Sequence, residues 1–101
     1  MCLKKLKMLT IWTKTAEKDL FNLIGYIHED SPQNAQMVLN KIEVLVDSLG
    51  QMPYKYPKEL IYNDDSVRYA VLYSFKIIYK VGFGEIKILR IFHTAQNPKK
   101  I

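Results

Sequence analysis

The stretch VRYAVLYSFKIIYKVGFGEIKILRIF, residues 67–92, decides the fold. It contains three strand-length runs that are dense in valine, isoleucine, tyrosine and phenylalanine, a composition typical of β-strands. The connectors, around Ser74 and across residues 82–84, are too short to hold a crossover helix. The sequence therefore predicts an antiparallel meander of strands over residues 67–73, 75–81 and 85–92.

Two amphipathic helices precede this meander. Apolar residues recur at steps of three and four from Ala35 to Leu49, which predicts a helix with one apolar face. Ser31 and Pro32 form a start signal for it, since serine caps helices and proline suits the first helical position. Gly50 is the expected end. We predict an antiparallel helical hairpin, because an earlier helix is separated from this one by only a few residues.

The earlier helix begins after a short strand. The segment of residues 8–13 is short and rich in β-branched and aromatic residues, which favours a strand. Either Thr13 or Thr15 is placed to cap the helix that follows. The prolines within residues 53–57 exclude a helix there, so the stretch through Asp65 is predicted to be a loop. The element order is β-α-α-β-β-β. This order predicts an α+β fold, with the helical hairpin packed on one face of an antiparallel sheet.

The chain length allows one domain. With 101 residues, 49% hydrophobic and 25% charged, the sequence matches an ordinary globular domain and excludes a second catalytic or cofactor domain. We assign residues 8–98 to a single domain, residues 1–7 to a basic N-terminal tail and residues 99–101 to a mobile tail. Met8 is an alternative start of translation. A core this small favours shallow surface chemistry or partner binding over an enclosed cofactor site, so no cofactor is expected.

The net charge of +5 is unevenly distributed. Residues 1–10 hold three lysines and no acid, residues 11–52 hold three bases against six acids, and residues 53–101 hold nine bases against four acids. A basic second half suits a polyanion or an acidic protein partner. The alternative is that the charge only keeps a small protein soluble.

Other partners and sites are not indicated by the sequence. Cys2 is the single cysteine, so an internal disulfide is excluded, and with two distant histidines no metal site is expected. No run of apolar residues is long enough to span a bilayer, and no signal-peptide cleavage site follows Met8. These features predict a cytoplasmic protein without a membrane partner.

Several short motifs resemble those of the RelE/ParE toxin superfamily. The resemblance covers roughly residues 8–98, although each motif alone is weak. The motifs are a strand with Trp12, the phrase Ala16-Glu17-Lys18-Asp19-Leu20, Tyr26-Ile27, Ser31-Pro32, the Pro53 to Pro57 loop, Arg68-Tyr69-Ala70-Val71, residues 73–81, and Ile88 to His93 followed by Pro98. The resemblance implies the toxin component of a bacterial type II toxin–antitoxin system, with a cognate antitoxin as partner.

The superfamily divides by target, and the resemblance implies different sites for its two branches. RelE-like members cleave messenger RNA in the ribosome, whereas ParE-like members inhibit DNA gyrase. If the chain is RelE-like, the candidate catalytic residues are Arg68, Lys76, Arg90 and His93. The residues after His93 offer neither the arginine nor the tyrosine of RelE, and Ala70 stands where RelE carries a lysine. The ParE-like branch is therefore favoured, with growth inhibition through gyrase, and RNA cleavage is the alternative.

The candidate residues also have structural interpretations. Arg90 lies between two apolar residues, where it can brace the fold through a carboxylate, and His93 can serve as a hydrogen-bonded cap. Tyr69, Tyr73 and Tyr79 lie among basic residues, as in proteins that stack RNA bases. A small basic RNA-binding module is therefore a further alternative, although sheet packing explains the same tyrosines.

Overall fold

A computed structural model describes residues 8–62 and 64–93. The expected tails at 1–7 and 99–101 lie outside the described residues. The elements occur in the predicted order β-α-α-β-β-β. Their bounds are β1 Leu9–Trp12, α1 Lys14–Asp30, α2 Pro32–Leu49, β2 Val67–Leu72, β3 Phe75–Gly82 and β4 Glu85–His93.

The helical hairpin is fixed by two hydroxyl caps. The Thr13 hydroxyl accepts the Ala16 N–H at 3.1 Å and begins α1. Ser31 alone separates the two helices: its N–H donates to the Ile27 carbonyl, and its hydroxyl accepts the Asn34 N–H at 3.2 Å. One residue therefore ends α1 and begins α2, which makes the connection shorter than the few residues expected.

The sheet has the strand order β1-β4-β3-β2. The predicted meander is confirmed, since β2 pairs antiparallel with β3, and β3 pairs antiparallel with β4. The sheet differs from a purely antiparallel one because β1 joins the edge of β4 in parallel, with Leu9 opposite Glu85 and Trp12 opposite Ile88. The reason is the long connection after β1. The hairpin and residues 50–66 together form a crossover that returns the chain, so that β2 runs in the same direction as β1.

The core lies between the hairpin and one face of the sheet. Alternate residues of β3 and β4 point toward the helices, as expected for strands with one covered face. The fully buried members of this cluster are Ala16, Ile42 and Leu49 from the helices and Ile77, Tyr79, Ile86 and Ile88 from the sheet.

Tyr79 has a buried hydroxyl that links the core to the loop after α2. The hydroxyl donates to the Pro53 carbonyl at 2.7 Å, and the ring packs edge-on against Tyr56 with centroids 6.5 Å apart. Burial raises the pKa of Tyr79 from 10.0 to about 12, since the phenolate would lose its hydration. The ring is therefore unavailable for stacking a base.

We expect Tyr79 to make the fold sensitive to alkaline pH. Because the pKa is raised in the folded state, its contribution is fully present below pH 10 and is lost as the pH rises toward 12. Tyr79→Phe should cost about 1 kcal/mol at neutral pH through the lost hydrogen bond, and should reduce the alkaline loss by about 2 kcal/mol. Urea unfolding from pH 8 to pH 11.5 measures both, with Tyr73→Phe, at an exposed turn position, as the control. Equal alkaline slopes in the wild type and Tyr79→Phe would refute this assignment.

Candidate functional site

The loop after α2 covers part of the sheet face that the helices leave open. Residues 57–59 lie along the outer edge of β2, where the Glu59 N–H donates to the Val67 carbonyl at 2.9 Å and the Tyr69 N–H donates to the Pro57 carbonyl at 3.1 Å. Val67 and Ile78 are buried although neither belongs to the core cluster beneath the helices. The loop and the open face of the sheet therefore form a second, smaller apolar cluster that contains Val67 and Ile78.

Lys76 is tied to this loop by an ion pair. Its ammonium lies 2.8 Å from Glu59 Oε1, and the side chains of Lys76 and Glu59 are only 19% and 3% exposed. Glu59 Oε2 also accepts the Ile61 N–H at 3.4 Å, and the ammonium lies 4.4 Å from the Tyr69 ring centroid. The contact between Lys76 and Glu59 is electrostatic and lacks the geometry of an aligned hydrogen bond. This cation is occupied by a structural partner.

Arg68 braces the same loop from another direction. Its Nε donates to the Asp65 carbonyl at 2.9 Å and its Nη1 to the Tyr56 carbonyl at 3.1 Å, and the guanidinium lies 4.8 Å from the Tyr54 ring centroid. In the sheet, Arg68 is opposite Tyr79, which points toward the core. Along β3, Lys76 lies between the core residues Phe75 and Ile77, so its side chain projects from the opposite face of the sheet. Arg68 and Lys76 therefore do not converge on one site.

Arg90 forms the fold-bracing ion pair that the sequence raised as an alternative. Its Nε lies 2.8 Å from Asp19 Oδ2, its Nη2 lies 3.4 Å from Asp19 Oδ1, and the same Oδ2 accepts the Ile91 N–H at 3.1 Å. The hydrogen bond that the Arg90 guanidinium donates to Asp19 raises the pKa of Arg90. Because β1 ends opposite Ile88, no strand of the described residues pairs with the rest of β4 on this edge, and Asp19 from α1 accepts its Ile91 N–H.

His93 closes a shallow cavity at this edge. The cavity has a volume of about 290 Å³ and lies between α1 and the end of β4. The His93 ring packs edge-on against Phe75 at 5.1 Å, and its Nδ1 is buried with no hydrogen-bond partner among residues 8–62 and 64–93. The predicted hydrogen-bonded cap is thus not seen among these residues. The other lining residues are Asp19, Asn22, Leu23, Tyr26, Ile91 and Phe92.

The four candidate residues are distributed over separate parts of the described chain. Arg68 and Lys76 hold the loop, Arg90 holds α1 to β4, and His93 lines the edge cavity. The residues that sequence reasoning missed are their partners, above all Glu59. In the sequence, Glu59 is a single acid in front of the apolar pair Leu60 and Ile61. The loop shows no periodic pattern from which the burial of this acid could have been predicted. Within residues 8–62 and 64–93, no cluster of three side chains suited to a metal ion occurs, and no helix is long and apolar enough to cross a membrane.

A helical hairpin packed on a four-stranded mixed sheet defines a small α+β protein. The model of the family "ParE toxin of type II toxin-antitoxin system, parDE" matches residues 10–98. The chain therefore belongs to the ParE toxin family, and its function is that of a type II toxin. The predicted superfamily, its ParE-like branch and the α+β fold are confirmed.

Solved structures agree with this assignment. The chain is similar to a chain of the chromosomal ParDE toxin–antitoxin system from P. aeruginosa, with 26% identity and a TM-score of 0.69, over 88% of this chain and 98% of that one. It shares the fold of a chain in the RelBE2 toxin–antitoxin complex from Mycobacterium tuberculosis, with 22% identity and a TM-score of 0.58, over 89% and 94% of the two chains. A search of curated proteins found no match.

Proposed function

We propose that this toxin stops bacterial growth by binding a protein target, with DNA gyrase as the expected one, and that it does not cleave RNA. The observation that supports this proposal is the state of the candidate catalytic cations. Lys76 is paired with Glu59, Arg90 is paired with Asp19, and Arg68 is bonded to two loop carbonyls.

Phosphodiester cleavage makes demands that this arrangement does not meet. Cations must face the scissile phosphate together, and an acid and a base must reach the 2′-hydroxyl and the leaving oxygen. Arg68 and Lys76 project from opposite faces of the sheet, so they do not flank one phosphate. Freeing Lys76 or Arg90 for that purpose would leave the carboxylate of Glu59 or Asp19 without its cation, at a cost in stability.

We further propose that a cognate antitoxin neutralises the toxin in the cytoplasm. The edge of β4 beyond Ile88 supports this, because no strand of the described residues pairs with it and it borders a cavity of about 290 Å³ lined by both apolar and polar side chains. Asp19 already accepts the Ile91 N–H on this edge, so the groove beside it suits the side chains of an amphipathic segment of a partner. His93 lines the same cavity, and its buried Nδ1 has no hydrogen-bond partner among the described residues. Both solved relatives come from toxin–antitoxin systems.

Two assays, run side by side, test the target. Purified toxin is added to a DNA gyrase supercoiling reaction and to a ribosome-programmed mRNA cleavage reaction, each with and without the product of the neighbouring reading frame. We expect loss of supercoiling, intact mRNA, and recovery of supercoiling with the neighbouring product. The matched variants are Arg68→Ala and the surface variant Lys18→Ala. Cleavage of mRNA that Arg68→Ala abolishes and Lys18→Ala retains would contradict the proposal.

A further inference from the structure

The turn between β2 and β3 contains a tyrosine in a backbone conformation that tyrosine disfavours. Leu72 pairs with Phe75, so the turn consists of residues 73 and 74. The φ angle of Tyr73 is 56°. In this left-handed region a Cβ atom crowds the backbone, and two-residue hairpin turns therefore favour glycine, asparagine or aspartate where φ is positive. A bulky residue at position 73 makes the folded state less stable than one of these residues would.

The other hairpin turn shows the usual solution. Between β3 and β4, a positive φ angle of 74° falls on Gly84. A Cβ atom added at Gly84 would meet no atom within 4 Å, so the glycine serves the backbone angle and not a lack of space. In the described part of the chain, Tyr73 is the one residue other than glycine with a positive φ angle. Backbone preference thus determines the residue in one turn and is overridden in the other.

The fold does not offset this cost through the Tyr73 side chain. The side chain is 55% exposed, and within residues 8–62 and 64–93 it forms no hydrogen bond, ion pair or ring contact. Tyr79 is the opposite case, since its buried ring is held by a hydrogen bond and a ring contact. Strained residues cluster at binding and active sites, where the side chain has a use outside the fold. The exposed ring of Tyr73 therefore indicates a contact with a partner.

The turn lies at the same end of the sheet as the edge cavity. Phe75, which follows the turn, is opposite His93 in the register of β3 and β4, and the two rings pack with centroids 5.1 Å apart. His93 in turn lines the cavity. In the strand order, β3 alone separates β4 from β2, a span of about 10 Å. About three residues of extended chain cover that distance. A segment seated at the cavity therefore reaches Tyr73 by continuing across the end of β3.

We propose that Tyr73 is an anchor residue for the antitoxin, a segment of which lies at the edge cavity and continues across the end of the sheet onto the exposed ring. This inference rests on the proposed function, in which an antitoxin segment binds beside the β4 edge. The segment that fits is amphipathic, with one apolar side chain for the cavity and a second for the tyrosine ring. Tyrosine suits this use because its rigid ring offers a large contact area and loses little conformational entropy on binding.

This role predicts that stability and antitoxin binding change in opposite directions when Tyr73 is replaced by asparagine. Asparagine tolerates a positive φ angle, so Tyr73→Asn should raise the melting temperature by about 5 °C. Loss of the ring should weaken binding of the neighbouring reading frame's product about 30-fold. Tyr73→Ala also removes the ring but keeps a Cβ atom in the disfavoured conformation. It should weaken binding to the same extent without the gain in melting temperature.

Phe83 provides the matched control. It is also an exposed aromatic residue in a hairpin turn, but it lies in the turn at the opposite end of the sheet, and its φ angle is not positive. Phe83→Asn should bind the product as the wild type does and should not melt at a higher temperature. Isothermal titration of each purified full-length toxin with the product gives the binding constants, and thermal unfolding and gyrase supercoiling are measured on the same samples.

Three results would overturn the inference. If Tyr73→Asn binds the product as tightly as the wild type, Tyr73 is not an antitoxin anchor, and a loss of gyrase inhibition in that case would make it a target contact. If Tyr73→Asn and Tyr73→Ala melt at the same temperature, the backbone does not disfavour the tyrosine, and the reason for assigning it a contact is lost. If the wild type does not bind the product, the proposed antitoxin contact fails first and this inference fails with it.

Discussion

Replacing Glu59 with glutamine is expected to lower the free energy of unfolding by about 3 kcal/mol, because it leaves the half-buried ammonium of Lys76 without a countercharge. Complete burial of the pair would predict a larger loss, but the Lys76 side chain is 19% exposed and regains some hydration. The expected order of stability is wild type, then Glu59→Gln/Lys76→Met, then Glu59→Gln. Urea unfolding at neutral pH of the wild type, both single variants and the double variant gives the coupling energy directly.

The pair formed by Lys58 and Asp65 provides the matched control for Glu59. It links two residues of the same loop at 2.9 Å, but the Asp65 side chain is exposed. Asp65→Asn should therefore lower the free energy of unfolding much less than Glu59→Gln does. If Glu59→Gln costs no more than Asp65→Asn, the ion pair does not hold the loop.

Asp19→Ala is expected to lower the free energy of unfolding by about 2 kcal/mol. The change removes the carboxylate that accepts from the Arg90 guanidinium and from the Ile91 N–H, and so leaves a backbone donor of β4 unpaired. Asp19→Asn, which retains an acceptor for the Ile91 N–H, should lose about half as much. Hydrogen exchange at Ile91 provides a local measurement, and it should quicken in Asp19→Ala.

Glu17→Ala is the control for Asp19. Glu17 lies in the first turn of α1, where its charge favours the helix dipole, but it is exposed. Its loss should cost at most about 0.5 kcal/mol and should leave exchange at Ile91 unchanged. Similar losses in Glu17→Ala and Asp19→Ala would mean that Asp19 acts only through the helix dipole.

The elements of the fold were predictable because their signals are local. The Ser31-Pro32 start, the Gly50 end and the β-branched runs after residue 66 each reflect the preferences of neighbouring residues. The parallel pairing of β1 with β4 was not predictable in this way. It depends on where a crossover of more than 50 residues returns the chain, and a four-residue strand does not encode its partner.

The candidate site was predictable only in part, for the same physical reason. An ion pair for Arg90 was foreseen because a strand arginine between apolar residues needs a carboxylate, but Asp19 lies 71 positions away. Glu59 lies in a loop without periodicity, so its burial follows only from the path of that loop over the sheet. The family positions at Arg68 and Lys76 marked residues that matter for the fold, and their use here depends on these distant partners.

The central claim is that the toxin inhibits by binding its target and not by catalysis. The titration of a fixed concentration of DNA gyrase with purified toxin tests it most directly, with supercoiling as the readout. We predict that inhibition rises in proportion to added toxin, saturates near one toxin per binding site on gyrase, and reverses when the antitoxin is added. Unimpaired supercoiling at saturating toxin, together with cleavage of many mRNA molecules by each toxin molecule on ribosomes, would contradict it.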